Sequence, residues 1–193
     1  SLQQEFVREA ISQGCEVIGD IELFARHSNA PVIAITGTNG KSTVTALLGE
    51  MVHTAGLRAK VGGNLGIPAL DLLSRDPPDF YILECSSFQL ETTTSLAPLA
   101  ATILNITPDH NDRYLNFQSY VQAKQRIYQH AKNAVYNRDD VNTYPPDHGQ
   151  AISFALSPPK ENEFGIHIEA CETYLAYGKD IALNVNEMII SGK

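Results

Sequence analysis

The sequence predicts an α/β fold: a mostly parallel sheet with helices on both faces, plus a small antiparallel sheet at the C-terminal end. The first observation is a set of short, continuous apolar runs, which are typical of strands buried on both faces. The second is that helical spacing of apolar residues follows several of these runs, so strands and helices alternate. The third is a change after residue 150, where short alternating runs separated by turn residues replace the helical pattern.

Residues 1–30 precede the first buried strand, and we expect them to be a linker or the end of a preceding domain. The elements predicted in this part are a helix that ends near Gly14, a short strand at Cys15–Ile18 and a short helical segment at Ile21–Arg26. The glycine suits the end of a helix because it adopts a left-handed backbone at little cost.

Residues 31–150 are expected to form the α/β body. The predicted strands are Pro31–Thr36, Arg58–Val61, Asp79–Glu84, Ala100–Ile106 and Ala134–Asn137. The predicted helices are Ser42–Ala55, Pro68–Ser74 and Phe117–Lys132. Residues 151–193 are expected to form the small antiparallel sheet, and its strands are predicted at Ala151–Ala155, Phe164–Glu169, Thr173–Tyr177, Ile181–Val185 and Met188–Ile190.

Composition limits the classes of function to consider. The chain has 193 residues, 43% of them hydrophobic, and a formal net charge of −8 without a dense basic run, which disfavours nucleic-acid binding. Cys15, Cys85 and Cys171 are odd in number and far apart, which indicates reduced thiols rather than disulfides or a zinc site. Neither a signal segment nor an apolar run that could span a bilayer is present. We therefore expect a cytoplasmic protein with no membrane association and no obligate protein partner.

A glycine-containing loop joins the first buried strand to the first long helix. Its residues are Gly37, Thr38, Asn39, Gly40, Lys41, Ser42 and Thr43. Glycines let backbone N–H groups turn toward phosphates, the helix N-terminus adds positive potential, Lys41 supplies a charge, and the Ser42 hydroxyl can bind Mg²⁺. The standard pattern has a glycine where this chain has Ile35, so an ordinary glycine-rich turn is the alternative. The strand–loop–helix context favours an ATP-binding loop.

Polar side chains follow two further predicted strands. Glu84 ends one strand, and the segment Asp109–Arg113, which contains His110, follows another. Carboxyl ends of parallel strands face one crevice, so we expect Glu84 to hold Mg²⁺ and the segment to share the site. Taken alone, the first is typical of a solvated carboxylate and the second of a polar capping loop. A lone helical lysine such as Lys124 is ordinarily solvated, and its spacing alone does not select it.

Five stretches together resemble the Mur ligase family. They are GTNGKST (Gly37–Thr43), GGNLG (Gly62–Gly66), LECSSFQLE (Leu83–Glu91), NITPDHNDRY (Asn105–Tyr114) and AKQRIY (Ala123–Tyr128). GDIELF (Gly19–Phe24) and the SSFQLETT run are most similar to the members that add D-glutamate. Folate polyglutamylating ligases share the phosphate loop, but SSFQLE and DHxDRY are not expected in them.

The resemblance implies roles for individual residues. Lys41 would contact the ATP phosphates, Ser42 and Glu84 would bind Mg²⁺, and His110 would bind a second Mg²⁺. Lys124 would be carbamylated by CO₂, and the new carboxylate would help to hold that second metal. Lys41, His110 and Lys124 would be the catalytic residues. The residues implied to line the nucleotide-sugar site are Asn64, Ser86 and Gln89.

The resemblance also implies a reaction. UDP-N-acetylmuramoyl-L-alanine and D-glutamate would be the substrates, and ATP would activate the alanyl carboxylate as an acyl phosphate in peptidoglycan synthesis. The chain would be the ATP-binding central domain over residues 31–193, truncated at its C-terminal end and inactive by itself. Asn111 departs from the family, which usually has an apolar residue there. The alternatives are another ligase of this type, a P-loop NTPase or kinase, and a non-catalytic nucleotide-binding module.

Overall fold

The computed structural model describes residues 4–109, 113–146 and 151–188. Five α-helices lie within these ranges: α1 (Glu5–Ser12), α2 (Asp20–His27), α3 (Lys41–Thr54), α4 (Ser87–Glu91) and α5 (Phe117–Gln125). The first five strands are β1 (Val32–Thr36), β2 (Ala59–Gly63), β3 (Phe80–Glu84), β4 (Ala100–Ile103) and β5 (Ala134–Asn137). The remaining four are β6 (Ala151–Phe154), β7 (Glu163–Glu169), β8 (Glu172–Tyr177) and β9 (Asp180–Asn184).

The described strands form one mixed sheet in the order β2-β3-β1-β4-β5-β6-β7-β8-β9. Pairing is parallel from β2 to β7 and antiparallel from β7 to β9. Ile35 of β1 pairs with Glu84 on one side and with Thr102 on the other. The carboxyl ends of β1, β3 and β4 therefore meet at one edge of the sheet, which is where ligands bind in sheets of this kind.

Alternation along β1 divides the sheet into two apolar faces. Val32 and Ala34 join a core cluster with Ile21 and Phe24 of α2, and residues of α4 and α5 lie in the same cluster. Ile33 and Ile35 point to the other face, where α3 contacts β1, β2 and β3. Helices thus lie on both faces, and the predicted fold class is confirmed.

The α3 face also contains an apolar groove, which we call the α3 groove. It has a volume of about 480 Å³, and its lining combines α3 with strands β1, β4, β5 and β6. The lining includes Ile33, Leu47, Met51, Val135 and Phe154. Leu47 and Met51 are 42% and 60% exposed, so this part of the face is open to solvent.

The C-terminal part differs from the prediction in one respect. Ala151–Phe154 pairs parallel with β5, so it extends the main sheet and does not belong to a separate antiparallel sheet. Antiparallel pairing begins only at β7. The predicted strand Met188–Ile190 lies largely outside the described residues, and Met188 itself is not in a strand. The domain boundary at residue 150 stays a prediction.

Three local expectations were wrong or incomplete. Cys15–Ile18 forms no strand, because no neighbouring strand pairs with it. The helix expected at Pro68–Ser74 is only a 3-10 turn, Ala69–Leu72. The helix expected up to Lys132 ends as α5 at Gln125 and tightens into a 3-10 turn, Arg126–Tyr128, whose Tyr128 side chain is buried.

Helix α4 was not predicted, although its start has a recognisable sequence signal. Ser86 and Gln89 form a capping box, in which each side chain bonds to the backbone N–H of the other. Among the residues that the structure describes, no helix has the length and hydropathy needed to cross a membrane.

Candidate functional site

The glycine-containing loop lies at the edge where the central strands end. Gly37 is packed against the chain that follows β4, since a Cβ there would be 3.2 Å from the Leu104 Cβ. Gly40 has a φ of +79°, which favours glycine, and it is the N-cap of α3. No side chain caps that N-terminus. The first N–H groups of α3 and its positive dipole end are therefore left for an anion.

Lys41 begins α3 and folds back over the loop. Its Nζ donates to the carbonyl of Thr38 at 3.0 Å. A cavity of about 590 Å³ opens next to the loop, and its lining includes Asn39, Gly40 and Asn105 together with apolar residues of β6, β7 and β8. The loop thus combines a cation, an uncapped helix and open space, as a phosphate site requires.

Glu84 brings three of the predicted residues together. Its carboxylate accepts a hydrogen bond from Ser42 Oγ at 2.8 Å and another from Asn64 Nδ2 at 2.9 Å. The side chain is 2% exposed. Gly63 allows this approach: its φ is +109°, and an added Cβ would be only 2.4 Å from the Glu84 carbonyl oxygen. Ser42, Asn64 and Glu84 therefore form one polar cluster next to the loop.

The donor set of this cluster suits Mg²⁺ rather than a transition metal. In the part of the chain that the structure describes, no three His, Cys, Asp or Glu side chains are grouped to hold an ion. Ser42 and Glu84 offer a hydroxyl and one carboxylate, both oxygen ligands. Magnesium in nucleotide sites is typically held by one or two protein oxygens together with phosphate oxygens and water.

Lys124 is buried at the same site, in contrast to the solvated position that its helical spacing suggested. Its side chain is 2% exposed, and Nζ donates to the Gly37 carbonyl at 2.8 Å. Nζ also lies 4.8 Å from the centre of the Tyr120 ring. Burial, together with repulsion from Lys41, lowers the pKa of Lys124 to about 7, against the opposing effect of Asp109. Only the AKQRIY resemblance pointed to this residue.

Ser86 and Gln89 lie at the start of α4, one residue beyond Cys85 and β3. The Ser86 N–H donates to Gln89 Oε1 at 3.0 Å, and the Gln89 N–H donates to Ser86 Oγ at 3.2 Å. The side-chain nitrogen of Gln89 bonds to α2, since Gln89 Nε2 donates to Asp20 Oδ2 at 2.8 Å. The GDIELF segment is thereby tied to α4.

His110 lies outside the described residues, as do Asn111 and Asp112, and its role as a metal ligand stays a prediction. Arg113 is described and contacts α4. Its guanidinium lies 4.5 Å from the centre of the Phe88 ring and forms an ion pair with Glu91 at 2.9 Å. Part of the predicted Asp109–Arg113 segment is thus held against α4.

Sequence reasoning missed two polar residues, Asn105 at the phosphate loop and the buried Glu22 of α2. Asn105 bonds to the backbone of Thr38 and Asn39 in the phosphate loop. Glu22 is 1% exposed and bonds to the loop after α4. Both lie within stretches that carried the resemblance, but neither has a spacing signal that would have selected it.

The chain matches a known protein family over most of its length. The family model described as "Mur ligase middle domain" matches residues 35–181, which is well over half of the chain. The chain belongs to the Mur ligase family. The matched range of this Mur ligase domain contains the phosphate loop, Glu84 and Lys124.

Individual relatives of this Mur ligase chain are similar along its whole length. Proteins named UDP-N-acetylmuramoylalanine--D-glutamate ligase are 48% identical in Legionella pneumophila (strain Philadelphia 1) and 49% identical in Escherichia coli (strain K12). The matches cover 100% and 95% of this chain, but only 44% and 42% of those proteins. The chain therefore spans less than half the length of the curated relatives it matches.

Solved structures agree with the fold of the Mur ligase domain. One is a UDP-N-acetylmuramoyl-L-alanyl-D-glutamate--2,6-diaminopimelate ligase, with a TM-score of 0.62 and 22% identity over 92% of this chain and 41% of that one. Another is E. coli FolC in complex with DHPP and ADP, with a TM-score of 0.61 and 15% identity over 87% of this chain and 52% of that one. At such identities the likeness concerns the fold.

Proposed function

We propose that the complete protein is an ATP-dependent amide ligase that adds D-glutamate to UDP-N-acetylmuramoyl-L-alanine. The observation that carries the proposal is 48% identity, over the whole chain, to relatives named for that reaction. The polar cluster at the phosphate loop supplies the chemistry that such a reaction needs.

The reaction would proceed in two steps. An oxygen of the alanyl carboxylate attacks the γ-phosphorus of ATP, the bond to the bridging oxygen breaks, and ADP leaves behind an acyl phosphate. The amine of D-glutamate then attacks the acyl carbon, loses a proton and displaces inorganic phosphate. Two anions must meet in the first step, so Lys41 and the N–H groups at the start of α3 would hold the phosphates and offset the repulsion.

Ser42 and Glu84 are the residues that would hold Mg²⁺. Their oxygens are 2.8 Å apart beside the phosphate loop, so both would be available as ligands of the same ion. It would supply positive charge at the transferred phosphoryl group. Glu84 accepts from Asn64 through one carboxylate oxygen and from Ser42 through the other, so the orientation of the carboxylate is fixed.

Lys124 would carry a carbamate in the complete enzyme. The neutral amine nitrogen attacks the carbon of CO₂, an N–C bond forms while one C=O π bond breaks and its electron pair moves to oxygen, and the nitrogen then loses a proton to solvent. Geometry supports this role, because the amine is buried against Gly37 and beside Lys41. The carbamate would replace a buried cation with an anion that can help His110 to hold a second Mg²⁺. A pKa near 7 leaves a neutral amine available for the attack.

Asn64, Ser86 and Gln89 would line the nucleotide-sugar site. All three lie at the same edge of the sheet as the phosphate loop, and Asn64 contacts Glu84 directly. Their side chains offer amide and hydroxyl groups, which suit the hydroxyls and phosphates of such a substrate.

The test measures phosphate release and dipeptidyl product by the complete protein with ATP, Mg²⁺, D-glutamate and UDP-N-acetylmuramoyl-L-alanine. We expect turnover only when both substrates are present, and its loss in Lys41→Ala but not in the exposed Lys132→Ala control. ATP hydrolysis without the nucleotide sugar would indicate a plain NTPase, and ATP binding without turnover would indicate a binding module. Acceptance of a folate with glutamate instead would also overturn the proposal.

A further inference from the structure

We propose that Asn105 is a positioning residue that fixes the direction of the Gly40 N–H in the phosphate loop before nucleotide binds. The inference rests on the proposed function of that loop and names a residue that sets its shape. Asn105 follows β4 and belongs to a different part of the chain from the loop. It therefore lies beside the residues expected to contact ATP and is not one of them.

The Asn105 carboxamide contacts the loop backbone at three points. Oδ1 accepts from the N–H of Asn39 at 2.8 Å and from the N–H of Thr38 at 3.2 Å. Nδ2 donates to the carbonyl of Asn39 at 3.0 Å. The backbone N–H and the backbone carbonyl of Asn39 are thus both held by the Asn105 side chain, in the way that a neighbouring strand would hold them.

Backbone and hydroxyl contacts extend this pairing. The N–H of Thr38 also donates to the Asn105 carbonyl at 2.9 Å. Thr38 Oγ1 donates to the Thr107 carbonyl at 3.2 Å and accepts from the Thr107 N–H at 3.0 Å. The start of the phosphate loop therefore lies against the segment 105–107, which leads to Asp109.

The direction of the Asn39 carbonyl determines the direction of the Gly40 N–H. The carbonyl of Asn39 and the N–H of Gly40 belong to the same planar, trans peptide, in which they point in opposite directions. Because Asn105 Nδ2 holds that carbonyl, the Gly40 N–H is directed away from Asn105. Gly40 has a left-handed backbone and could otherwise rotate at little cost, so the side chain restricts the residue with the greatest freedom.

A purely structural role is the alternative, and a matched control separates the two. Asn133 also donates through Nδ2 to a backbone carbonyl, that of Leu99, at 2.8 Å. It does so at the opposite end of β4, far from the loop. Asn133→Ala should lower stability as Asn105→Ala does without altering nucleotide binding.

The experiment measures ATP affinity by calorimetry and steady-state kinetics in the complete protein for Asn105→Ala, Asn133→Ala and Lys41→Ala. For Asn105→Ala we expect ATP to bind about tenfold more weakly. We also expect a raised KM for ATP with kcat changed less than about twofold at saturation, because placement is lost and not chemistry. KM for the nucleotide sugar should stay unchanged.

Unaltered ATP affinity in Asn105→Ala, or an equal loss in Asn133→Ala, would overturn the inference. Should Asn105→Ala fail to fold, Asn105→Asp keeps the size and the acceptor but loses the donor to Asn39, and native ATP affinity in that variant would be equally contrary. If Lys41→Ala also binds ATP normally, the nucleotide site itself is wrong and the proposed function fails. Loss in Lys41→Ala alone removes only the role of Asn105.

Discussion

At the scale of single residues, one buried carboxylate joins two separate elements of the chain. Glu22 of α2 accepts hydrogen bonds from the Thr94 N–H at 2.7 Å and from the Ser95 N–H at 2.9 Å, and it pairs with Arg26 at 2.8 Å. Burial alone would raise the pKa of Glu22, but these bonds outweigh it and lower the pKa from 4.5 to about 2. The charged form therefore ties α2 to the loop that follows α4.

The first prediction concerns Glu22→Gln and pH. A lowered folded-state pKa stabilises the protein above pH 4.5, and that stabilisation is lost as pH falls from 4.5 to about 2. At neutral pH we expect the substitution to lower the free energy of unfolding by about 1–3 kcal/mol. Urea unfolding should show that the difference in free energy of unfolding between the native protein and Glu22→Gln becomes smaller toward about pH 3. The exposed Glu50→Gln is the control, and a difference that does not change with pH would contradict the account.

The second prediction concerns Lys124. Lys124→Ala in the complete enzyme should reduce turnover by about a hundredfold or more, because the carbamate that would help to hold the second Mg²⁺ is lost. Bicarbonate should not restore activity, whereas acetate should restore part of it. ¹³C-bicarbonate should label a carbamate in the native enzyme and not in the variant. Full activity of Lys124→Ala, with Lys132→Ala as control, would rule the role out.

At the scale of elements, the end of β2 determines whether Glu84 can reach its partners. Gly63 lies directly against the Glu84 backbone, and the N–H of Asn64 donates to the Glu84 carbonyl at 2.8 Å. Gly66 ends the same turn with a φ of +71°, but an added Cβ there would meet nothing within 4 Å. Both glycines have a left-handed backbone, but only Gly66 has room for an added Cβ.

The third prediction compares these two glycines. Gly63→Ala should destabilise the protein by about 3 kcal/mol or more, since strain and a backbone clash add. Gly66→Ala should cost about 1–2 kcal/mol, from backbone strain alone. Chemical denaturation measures both values. ATP affinity should fall in Gly63→Ala only, and equal effects of the two substitutions would show that the contact with Glu84 is unimportant.

Elements with their own sequence pattern were predicted well, and those shaped by distant contacts were not. The apolar run of β1 and the spacing of α3 gave boundaries within about a residue or two. Just beyond the early end of α5, the Tyr128 hydroxyl lies 2.8 Å from the Val135 carbonyl and 2.9 Å from the Thr143 carbonyl, and it can donate to either. Val135 and Thr143 lie 7 and 15 residues from Tyr128, so the local sequence pattern of α5 does not reveal these contacts. For the same reason β6 could be found as a strand, but its parallel partner could not.

The site follows the same rule. Ser42 and Glu84 were predicted because a loop and a strand end each carry a local signal, and the structure brings them to 2.8 Å. Lys124 has the spacing of a solvated lysine, and its burial against Gly37 comes from packing between α5 and the loop. Asn105 was quoted only as part of a stretch, since its partners lie far away along the chain.

At the scale of the whole molecule, the α3 groove is an exposed apolar feature of about 480 Å³. Its lining is almost wholly apolar, and Leu47 and Met51 remain exposed beside it. Open apolar patches of this kind favour association and bind hydrophobic dyes. We therefore expect this surface to promote self-association of the 193-residue chain.

The fourth prediction is that Leu47→Lys combined with Met51→Lys lowers dye fluorescence and light scattering of this chain. Both residues are partly solvated, so the melting temperature should change little. Leu115→Lys is the control, because Leu115 is 93% exposed and lies outside the groove lining. An equal reduction by Leu115→Lys would show that the effect arises from added charge and not from the groove.

The central position of β1 has a consequence during synthesis. β1 emerges from the ribosome before both of its neighbours, β3 and β4, because Ile33 pairs with Ile82 and Ala100, which lie far later in the sequence. At roughly 5–20 residues per second, several seconds pass before both neighbours exist. The nascent chain must keep one of its most apolar segments from aggregating over that interval. Early chaperone contact at Val32–Thr36 would shorten that exposure, whereas the local hairpin β7–β8 needs no such protection.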